Sequence, residues 1–337
     1  PILKRIIPDR IIGENNMMTN WKAMGKRFLS LMMAFAMILS VVQAISPAVL
    51  VNAAEETQSD TYPSITEVDQ YDNYDTFTIA TVEEFVTFGA NVNAGYTYEG
   101  KTVLVTADLD FSGYATLDMV GSYGAGISGG NAGANNKPFK GHFDGQLHHF
   151  KNINMTMEAC TALFAYTEGA TIENIIFDEG TMSTTSVQVA LLVFLARNST
   201  IRNIETHVSV LTSSTASTAN LGLVVNGVST TFQAIVNYGN VGCAETNSTQ
   251  KQENGGIVAW GRNTCKIDTC YIAGEVYGTN SGKIGRGATI TNSYYLTAND
   301  TGTISKADFT SGAAAWNMNT LSGTQENSGL WSNTETG

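Results

Sequence analysis

Ile172-Glu173-Asn174-Ile175 and Ile201-Arg202-Asn203-Ile204 are two copies of the motif that decides the fold of this chain. The motif is an apolar residue, a spacer, a residue that is usually Asn, and one further residue. Six copies begin 22, 29, 34, 32 and 23 residues apart, at Phe150, Ile172, Ile201, Ile235, Ile267 and Ile290. That spacing is the length of one supersecondary unit. A unit with so short a strand cannot bury its apolar face alone, so we expect the repeats to stack.

A run of strand-forming residues precedes four of the motifs. The runs are Ala162-Leu163-Phe164-Ala165, Leu191-Leu192-Val193-Phe194, Leu221-Gly222-Leu223-Val224 and Gly256-Ile257-Val258-Ala259. Short strands separated by Gly, Asn and Ser turns predict an all-β solenoid with interior apolar ladders. Asn tolerates the bend and can share amide hydrogen bonds with the coils above and below. We expect a structural ladder of Asn152, Asn174, Asn203, Asn237 and Asn292, with a weaker step at Thr269.

A capping helix is predicted ahead of the repeats. Thr81 is a candidate N-cap, and Glu84 completes a capping box. Apolar residues then follow at three-to-four spacing, and Gly95 suits the C-cap. Such a helix would protect the first edge strand of a solenoid. Strands are predicted over 102–109 and over 138–145, where the second ends in an Asp-Gly turn signal.

The N-terminal region has the order of a secretory signal peptide. Lys22, Lys26 and Arg27 precede an apolar stretch over 28–42, and small residues follow up to cleavage after Ala53 or Ala54. A membrane anchor is the alternative, but the stretch is shorter than the roughly 20 residues that a span needs. We therefore expect a secreted or cell-wall-associated protein with no membrane span in the mature chain.

Composition favours a folded, acidic surface protein. Of the 337 residues, 43% are hydrophobic and 14% are charged, and the net charge is −12. Residues 1–54 hold six basic and two acidic residues, so the remainder carries −16. Such a surface repels nucleic acid and anionic polysaccharide, which excludes nucleic acid as an expected partner.

These observations divide the chain into five segments. We expect a leader or gene-prediction artefact over 1–16, the signal peptide over 17–54, a linker over 55–76 and the repeat domain with its helical cap over 77–305. Residues 306–337 are expected to form a C-terminal cap or tail that is truncated, as in a fragment of a longer surface protein. The alternative is a monomer.

Residues 79–177 resemble the secreted bacterial proteins that carry GLUG motifs. The similar stretches are Thr106-Ala107-Asp108-Leu109-Asp110-Phe111, Met119-Val120-Gly121 and Phe139-Lys140-Gly141-His142-Phe143-Asp144-Gly145-Gln146-Leu147-His148-His149-Phe150. Gln146-Leu147 departs from the usual Asn-Gly, and the repeat strands depart from strict Gly-Leu-x-Gly. The resemblance weakens through Tyr294-Tyr295, and 310–319 is similar to the family's terminal helix. It implies a right-handed parallel β-helix at the cell surface, but no single activity, since the family shares none.

Three groups of side chains could carry chemistry. Asp108 and Asp110 lie two residues apart on one strand face, as calcium ligands or as a glycosidase acid and base would. We favour a structural role in which they cap loop amides, and we expect no cofactor. His148 or His149 could pair with Asp144 for acid–base work, although only one of them can face it; a structural hydrogen bond is favoured.

Four cysteines are the third group: Cys160, Cys243, Cys265 and Cys270. Their spacing does not suit zinc. We expect Cys160 to be a buried small residue, and one disulfide among the other three in an oxidising compartment.

Function is expected to be non-catalytic binding or spacing, as in an adhesin, with an extracellular glycan or protein ligand. A polysaccharide hydrolase or lyase is the alternative, since parallel β-helices include both. The few, scattered Lys and Arg residues disfavour a lyase, which needs them to hold an acidic polysaccharide. The aspartates are not clustered in sequence, as a hydrolase groove would require of them in space. Exposed aromatics could stack on neutral sugars, and Trp260 is the candidate binding residue, whereas Tyr271 and Tyr294 are expected in the interior. Variable loops over 212–220 and 243–254 are the expected location of function.

Overall fold

The protein is mostly β, and its strands pair in parallel. The computed structural model describes residues 62–123, 136–157, 160–214, 216–243 and 251–296. The leader over 1–16, the signal peptide over 17–54 and the C-terminal segment over 306–337 lie outside the described residues, as does the loop over 124–135. In the described part, no helix is long and apolar enough to cross a membrane.

The described part of the expected linker belongs to the folded domain. Ile65 is fully buried in the main core, and Ser64 forms a parallel bridge with Thr78. A short 3₁₀ helix, Val68–Gln70, follows. Tyr71 then stacks on Phe77 with ring centroids 6.2 Å apart. The sequence missed this because the segment's few apolar residues are scattered without a period.

The single α-helix of the described residues is the one predicted. α1 spans Val82–Ala94. The Thr81 side chain accepts from the backbone N–H of Glu84 at 3.2 Å, and the Glu84 carboxylate accepts from the N–H of Ala80 at 2.6 Å. Gly95 ends the helix with φ 113°, a left-handed conformation that glycine adopts without a Cβ clash. The buried stripe, which includes Phe85 and Phe88, packs into the core beside the first strands.

The long sheet has fourteen strands, and its first strand comes directly before α1 in the chain. Its path follows strands β1-β2-β4-β8-β10-β12-β15-β17. These are β1 Thr76–Ile79, β2 Thr102–Val105, β4 His142–Asp144, β8 Thr171–Thr184, β10 Thr200–Thr212, β12 Thr231–Asn237, β15 Lys266–Asp268 and β17 Thr289–Thr291. Off the path lie β3 Leu109–Asp110, β5 His149–Lys151, β6 Asn154–Met157, β13 Val241–Gly242, β16 Tyr271–Ile272 and β18 Tyr294–Tyr295. The strand predicted over 102–109 is therefore two strands, broken at 106–108.

The short sheet has four strands. Its order is β14-β11-β9-β7, with β7 Phe164–Glu168, β9 Gln188–Arg197, β11 Asn220–Val228 and β14 Val258–Arg262. Each corresponds to one of the four predicted apolar runs. From β7 to β12 the chain alternates between the short sheet and the long sheet. Burial is almost continuous along β9, as expected for a parallel strand covered on both faces.

An interior apolar ladder runs through the long sheet, but its members differ from the six motif starts. Ile172 pairs with Ile201, Ile267 pairs with Ile290, and Phe232 stands between these two pairs. Ile235 instead pairs with Ile204, three residues further along the strand. Phe150 pairs with Phe177, and Phe143 occupies the position before Ile172. Two of the six motif copies were therefore out of register.

The asparagine ladder is divided for the same reason. The turn position takes a left-handed conformation at Asn174, Asn203, Ala234, Thr269 and Asn292, with φ between 46° and 59°. Asn203 Nδ2 donates to Asn174 Oδ1 at 2.6 Å, which is the expected amide contact. Asn237 is not at this position: it is buried in β12 and donates to the carbonyl of Gly256 at 2.7 Å. The prediction of one ladder through five asparagines is therefore wrong at Asn237.

Asn152 also lies outside that ladder. It has φ 58° and donates to Asp110 Oδ1 at 2.8 Å. It follows β5, which pairs with Ile176 and Phe177 in the middle of β8 and not with the start of β8, where Ile172 lies. Asn152 therefore has the left-handed conformation expected of a turn Asn, but at the bend after β5 and not in the ladder of Asn174 and Asn203.

Candidate functional site

Trp260 lies at the end of a column in the short sheet. The column runs from Tyr166 through Leu195 and Asn226 to Trp260, each paired in register with the next. Tyr166 and Leu195 are buried, whereas Trp260 is 39% exposed. The Arg262 guanidinium lies 4.5 Å from the centroid of the indole ring. A cation over the face of an aromatic ring is attracted to it, which favours this orientation of the indole.

A groove of about 570 Å³ opens beside Trp260. Its other lining residues are mostly amides and hydroxyls: Val187, Gln188, Ser217, Thr218, Asn220, Lys251, Glu253 and Asn280. Five of these belong to the two segments where the repeats differ most, 212–220 and 243–254. The strands place Gln188 opposite Asn220, because β9 and β11 pair there.

The charges in this groove are balanced. Glu253 forms an ion pair with Arg286 at 3.0 Å, and Lys251 is exposed on the rim. One exposed aromatic ring beside amide and hydroxyl groups suits a ligand with hydroxyls and an apolar face, because the ring stacks while the amides donate and accept hydrogen bonds. A ligand with a large net charge would find no matching excess of opposite charge among these residues.

A second polar group lies on the long sheet and was missed by the sequence analysis. His142 and Asp144 are on β4, and Glu173 is the partner of Asp144 on β8. One possible ligand atom from each of the three lies within 4.8 Å of the others. Asp144 and Glu173 are buried, with 8% and 7% of their surfaces exposed. We call these three residues the His142 cluster.

Hydrogen bonds hold both carboxylates of the His142 cluster. Glu173 accepts from His142 Nε2 at 2.6 Å and from Arg202 Nε. Asp144 accepts from the backbone N–H and side chain of Gln146 and from Asn174 Nδ2 at 2.8 Å. Burial raises the pKa of Glu173, but the hydrogen bonds from Arg202 and His142 outweigh burial and lower this pKa below its usual value.

Asp108 and Asp110 have the loop contacts expected of structural aspartates. Asp108 accepts from Lys151 Nζ at 2.6 Å and from the N–H of His149 at 3.0 Å. These bonds lower the pKa of Asp108 strongly. Asp110 accepts from Asn152 and from the N–H of Ser112 at 2.9 Å, which also lowers its pKa. Among the described residues, neither joins a group of three possible metal ligands.

Neither His148 nor His149 pairs with Asp144. His148 Nδ1 lies 3.2 Å from Asp108, and His149 Nδ1 lies 2.6 Å from Asp178. Asp144 is occupied by Gln146, two residues away, because Gln146 and Leu147 turn the chain with positive φ. The expected His–Asp contact is therefore replaced by a local turn.

The four cysteines are free thiols. Cys160 is half-buried rather than buried, and Cys243, Cys265 and Cys270 are buried without the expected disulfide. Burial raises the pKa of Cys265 to about 11 and that of Cys270 to about 12, so both stay protonated and unreactive at neutral pH.

The aromatic residues behave in two ways. Tyr271 is buried and Tyr294 is partly buried; the two pair in register in a small cluster apart from the main core. Tyr238 is 41% exposed and stacks on His207 with centroids 4.5 Å apart. Trp260, a candidate for exposure, is 39% exposed.

Comparison of the chain with protein-family models, with curated proteins and with solved structures finds no match.

Proposed function

We propose that this chain is a secreted, non-catalytic binding module that holds a neutral glycan in the groove beside Trp260. The observation that carries the proposal is the 39% exposed indole at the side of a groove lined by amides and hydroxyls. Tryptophan is highly buried on average, whereas this ring is exposed and has the Arg262 guanidinium over it. A rigid ring loses little conformational entropy when a ligand stacks on it.

The scaffold proposed for this groove is a right-handed parallel β-helix. Parallel pairing throughout both sheets and the alternation of the chain between them support this architecture. Right-handed crossover is the rule for connections between parallel strands. The resemblance of 79–177 to GLUG-motif proteins supports the same architecture, and with the signal-peptide pattern of 17–54 it supports a location outside the cell or on its wall.

The charge of the chain limits the class of ligand. A net charge of −16 beyond residue 54 disfavours nucleic acid and acidic polysaccharides, whereas neutral glycans are unaffected. The chain would act as a monomer or as one part of a longer surface protein. A host protein is the other ligand class for an adhesin-like module, and the binding experiment separates the two.

The alternative function is a polysaccharide hydrolase or lyase. Three surface grooves formed by described residues are lined by at most two carboxylates each. In the His142 cluster, the pKa of Glu173 is lowered, whereas a general acid needs a raised pKa. We therefore expect no release of reducing ends from neutral polysaccharides. Release that is lost in Glu173→Gln would establish the hydrolase instead.

The binding proposal is tested with an array of neutral glycans and extracellular matrix proteins, followed by calorimetric titration of the full chain. Trp260→Ala should weaken glycan binding by at least about 10-fold, as the loss of a central aromatic contact does. Tyr238→Ala is the matched control, because Tyr238 is similarly exposed but does not line this groove. Equal loss in both variants, or binding only to matrix proteins, would refute the glycan site.

A further inference from the structure

The geometry points to a second site, a zinc-binding centre formed by His142, Asp144 and Glu173. It lies on the long sheet, on residues that do not line the Trp260 groove. The site is independent of the proposed glycan binding, so either can fail without the other.

The donor set suits a transition metal better than calcium. An imidazole nitrogen and two carboxylate oxygens are ligands that zinc takes together, and a fourth position is left for water. Calcium takes six to eight oxygens and rarely a nitrogen. Atoms that share a zinc ion at about 2 Å lie roughly 3–4 Å from one another. The three donors already lie within 4.8 Å, so small side-chain adjustments bring them to that spacing.

Charge supports a cation at this position. Asp144 and Glu173 are paired in register on neighbouring strands, and like charges in such pairs repel each other. Arg202 neutralises one of these buried carboxylates. The partners of Asp144 are the amides of Gln146 and Asn174, which bring no charge. With a neutral imidazole the group therefore keeps one excess negative charge, which a bound divalent cation would compensate.

Two of the surrounding hydrogen bonds would remain around a metal, while Asp144 would share with the metal an oxygen that also accepts from Gln146. Zinc would replace the contact between His142 Nε2 and Glu173 Oε1, while Arg202 would still bind the other oxygen of Glu173. Asn174 would still orient Asp144, and it is itself held by Asn203 at 2.6 Å. Such partners fix the direction of metal ligands in known sites. The imidazole side chain is 36% exposed, so an ion can reach it from solvent.

The first experiment is a calorimetric titration of the chelator-treated full chain with Zn²⁺ at neutral pH. We expect saturable uptake of one ion at this site. His142→Gln and Asp144→Asn should each weaken that uptake by at least about 10-fold. His149→Gln is the matched control, since His149 also contacts a carboxylate but lies outside the cluster. Absence of saturable uptake by the wild type would overturn the proposal, and so would equal loss in His149→Gln.

A second measurement does not depend on the folding of any variant. X-ray absorption of the zinc-loaded wild-type chain should show a first shell of one imidazole nitrogen and oxygens, without sulfur. A shell with two or more imidazoles, or with sulfur, would place the ion at other histidines or at the cysteines and would overturn this assignment.

Discussion

Both sheets stack parallel strands in register, but the columns of side chains differ in polarity between the two sheets. In the long sheet one column runs Asp144, Glu173, Arg202, Gln233 and Asp268, each paired with the next. In the short sheet the column of Tyr166, Leu195 and Asn226 is mainly apolar until it reaches Trp260. Parallel register places chemically related positions next to each other in both cases.

The difference shows how each sheet stabilises similar side chains that lie next to one another. A column of charges must alternate in sign or recruit hydrogen bonds, and Arg202 and the amides of Gln146 and Asn174 do this beside Asp144 and Glu173. An apolar column packs against other apolar side chains instead. Tyr166 and Leu195 belong to a second apolar cluster, whose other members are Ala162, Ala190, Phe194, Val225 and Val228.

Phe194→Ala should have the largest effect on stability, because it removes the centre of the second apolar cluster. Phe194 is 3% exposed and stacks on Tyr123 with ring centroids 4.8 Å apart. Loss of a buried Phe costs about 3–5 kcal/mol through lost burial and the cavity left behind. Urea denaturation of the purified chain measures this as a lower transition midpoint.

Tyr238→Ala is the matched change on the long sheet. Tyr238 also stacks on a ring, that of His207, but it is 41% exposed. Removing it should cost about 1 kcal/mol, because an aromatic pair contributes about 0.5–1.5 kcal/mol beyond its buried area. Similar losses for the two variants would show that the apolar cluster is not a structural element in its own right.

Acid should weaken the charged column before it affects the apolar one. The pKa of Glu173 is lower in the folded chain than its usual value of 4.5, so its contribution to stability is complete above about pH 4.5 and is lost as the pH falls through the folded pKa. The free energy of unfolding should therefore drop as the pH falls below about 4.5. Denaturation at a series of pH values measures the slope.

Glu173→Gln should flatten that slope, because an amide does not titrate. Glu179→Gln provides the comparison, since Glu179 is exposed on the same strand. An unchanged slope in Glu173→Gln, or equal flattening in both variants, would show that the acid sensitivity arises elsewhere in the chain.

The sequence was sufficient to predict the all-β class and the helix, because apolar periodicity and capping signals are local. α1 was recognised from Thr81, Glu84 and Gly95, whose roles are set within one or two turns. The register failed at Ile235 because its Ile-Val-Asn resembles the motif, while the true turn residue, Ala234, does not. Local similarity therefore outweighed the pairing of strands, which the sequence does not display.

The His142 cluster could not be predicted from local patterns. His142 and Glu173 lie 31 residues apart, and Arg202 lies a further 29 residues along the chain. One signal was present: the separation of Glu173 and Arg202 equals that of Ile172 and Ile201, so the motif spacing places them side by side. Aligning the spacers of the motif, and not only the Asn and Ile positions, would have found this pair.

Ala234→Asn should produce the smallest effect, a gain of about 0.5–1 kcal/mol at the bend beside the charged column. Ala234 has φ 52°, a left-handed conformation that costs alanine more than asparagine. The new amide would continue the contact that Asn203 makes with Asn174. Ala234→Gly separates the two contributions, because glycine relieves the backbone but adds no amide. A higher urea midpoint for Asn than for Gly would show that amide stacking stabilises the bend. Destabilisation by Asn would mean that the pocket around this residue, which is only 9% exposed, has no room for the side chain.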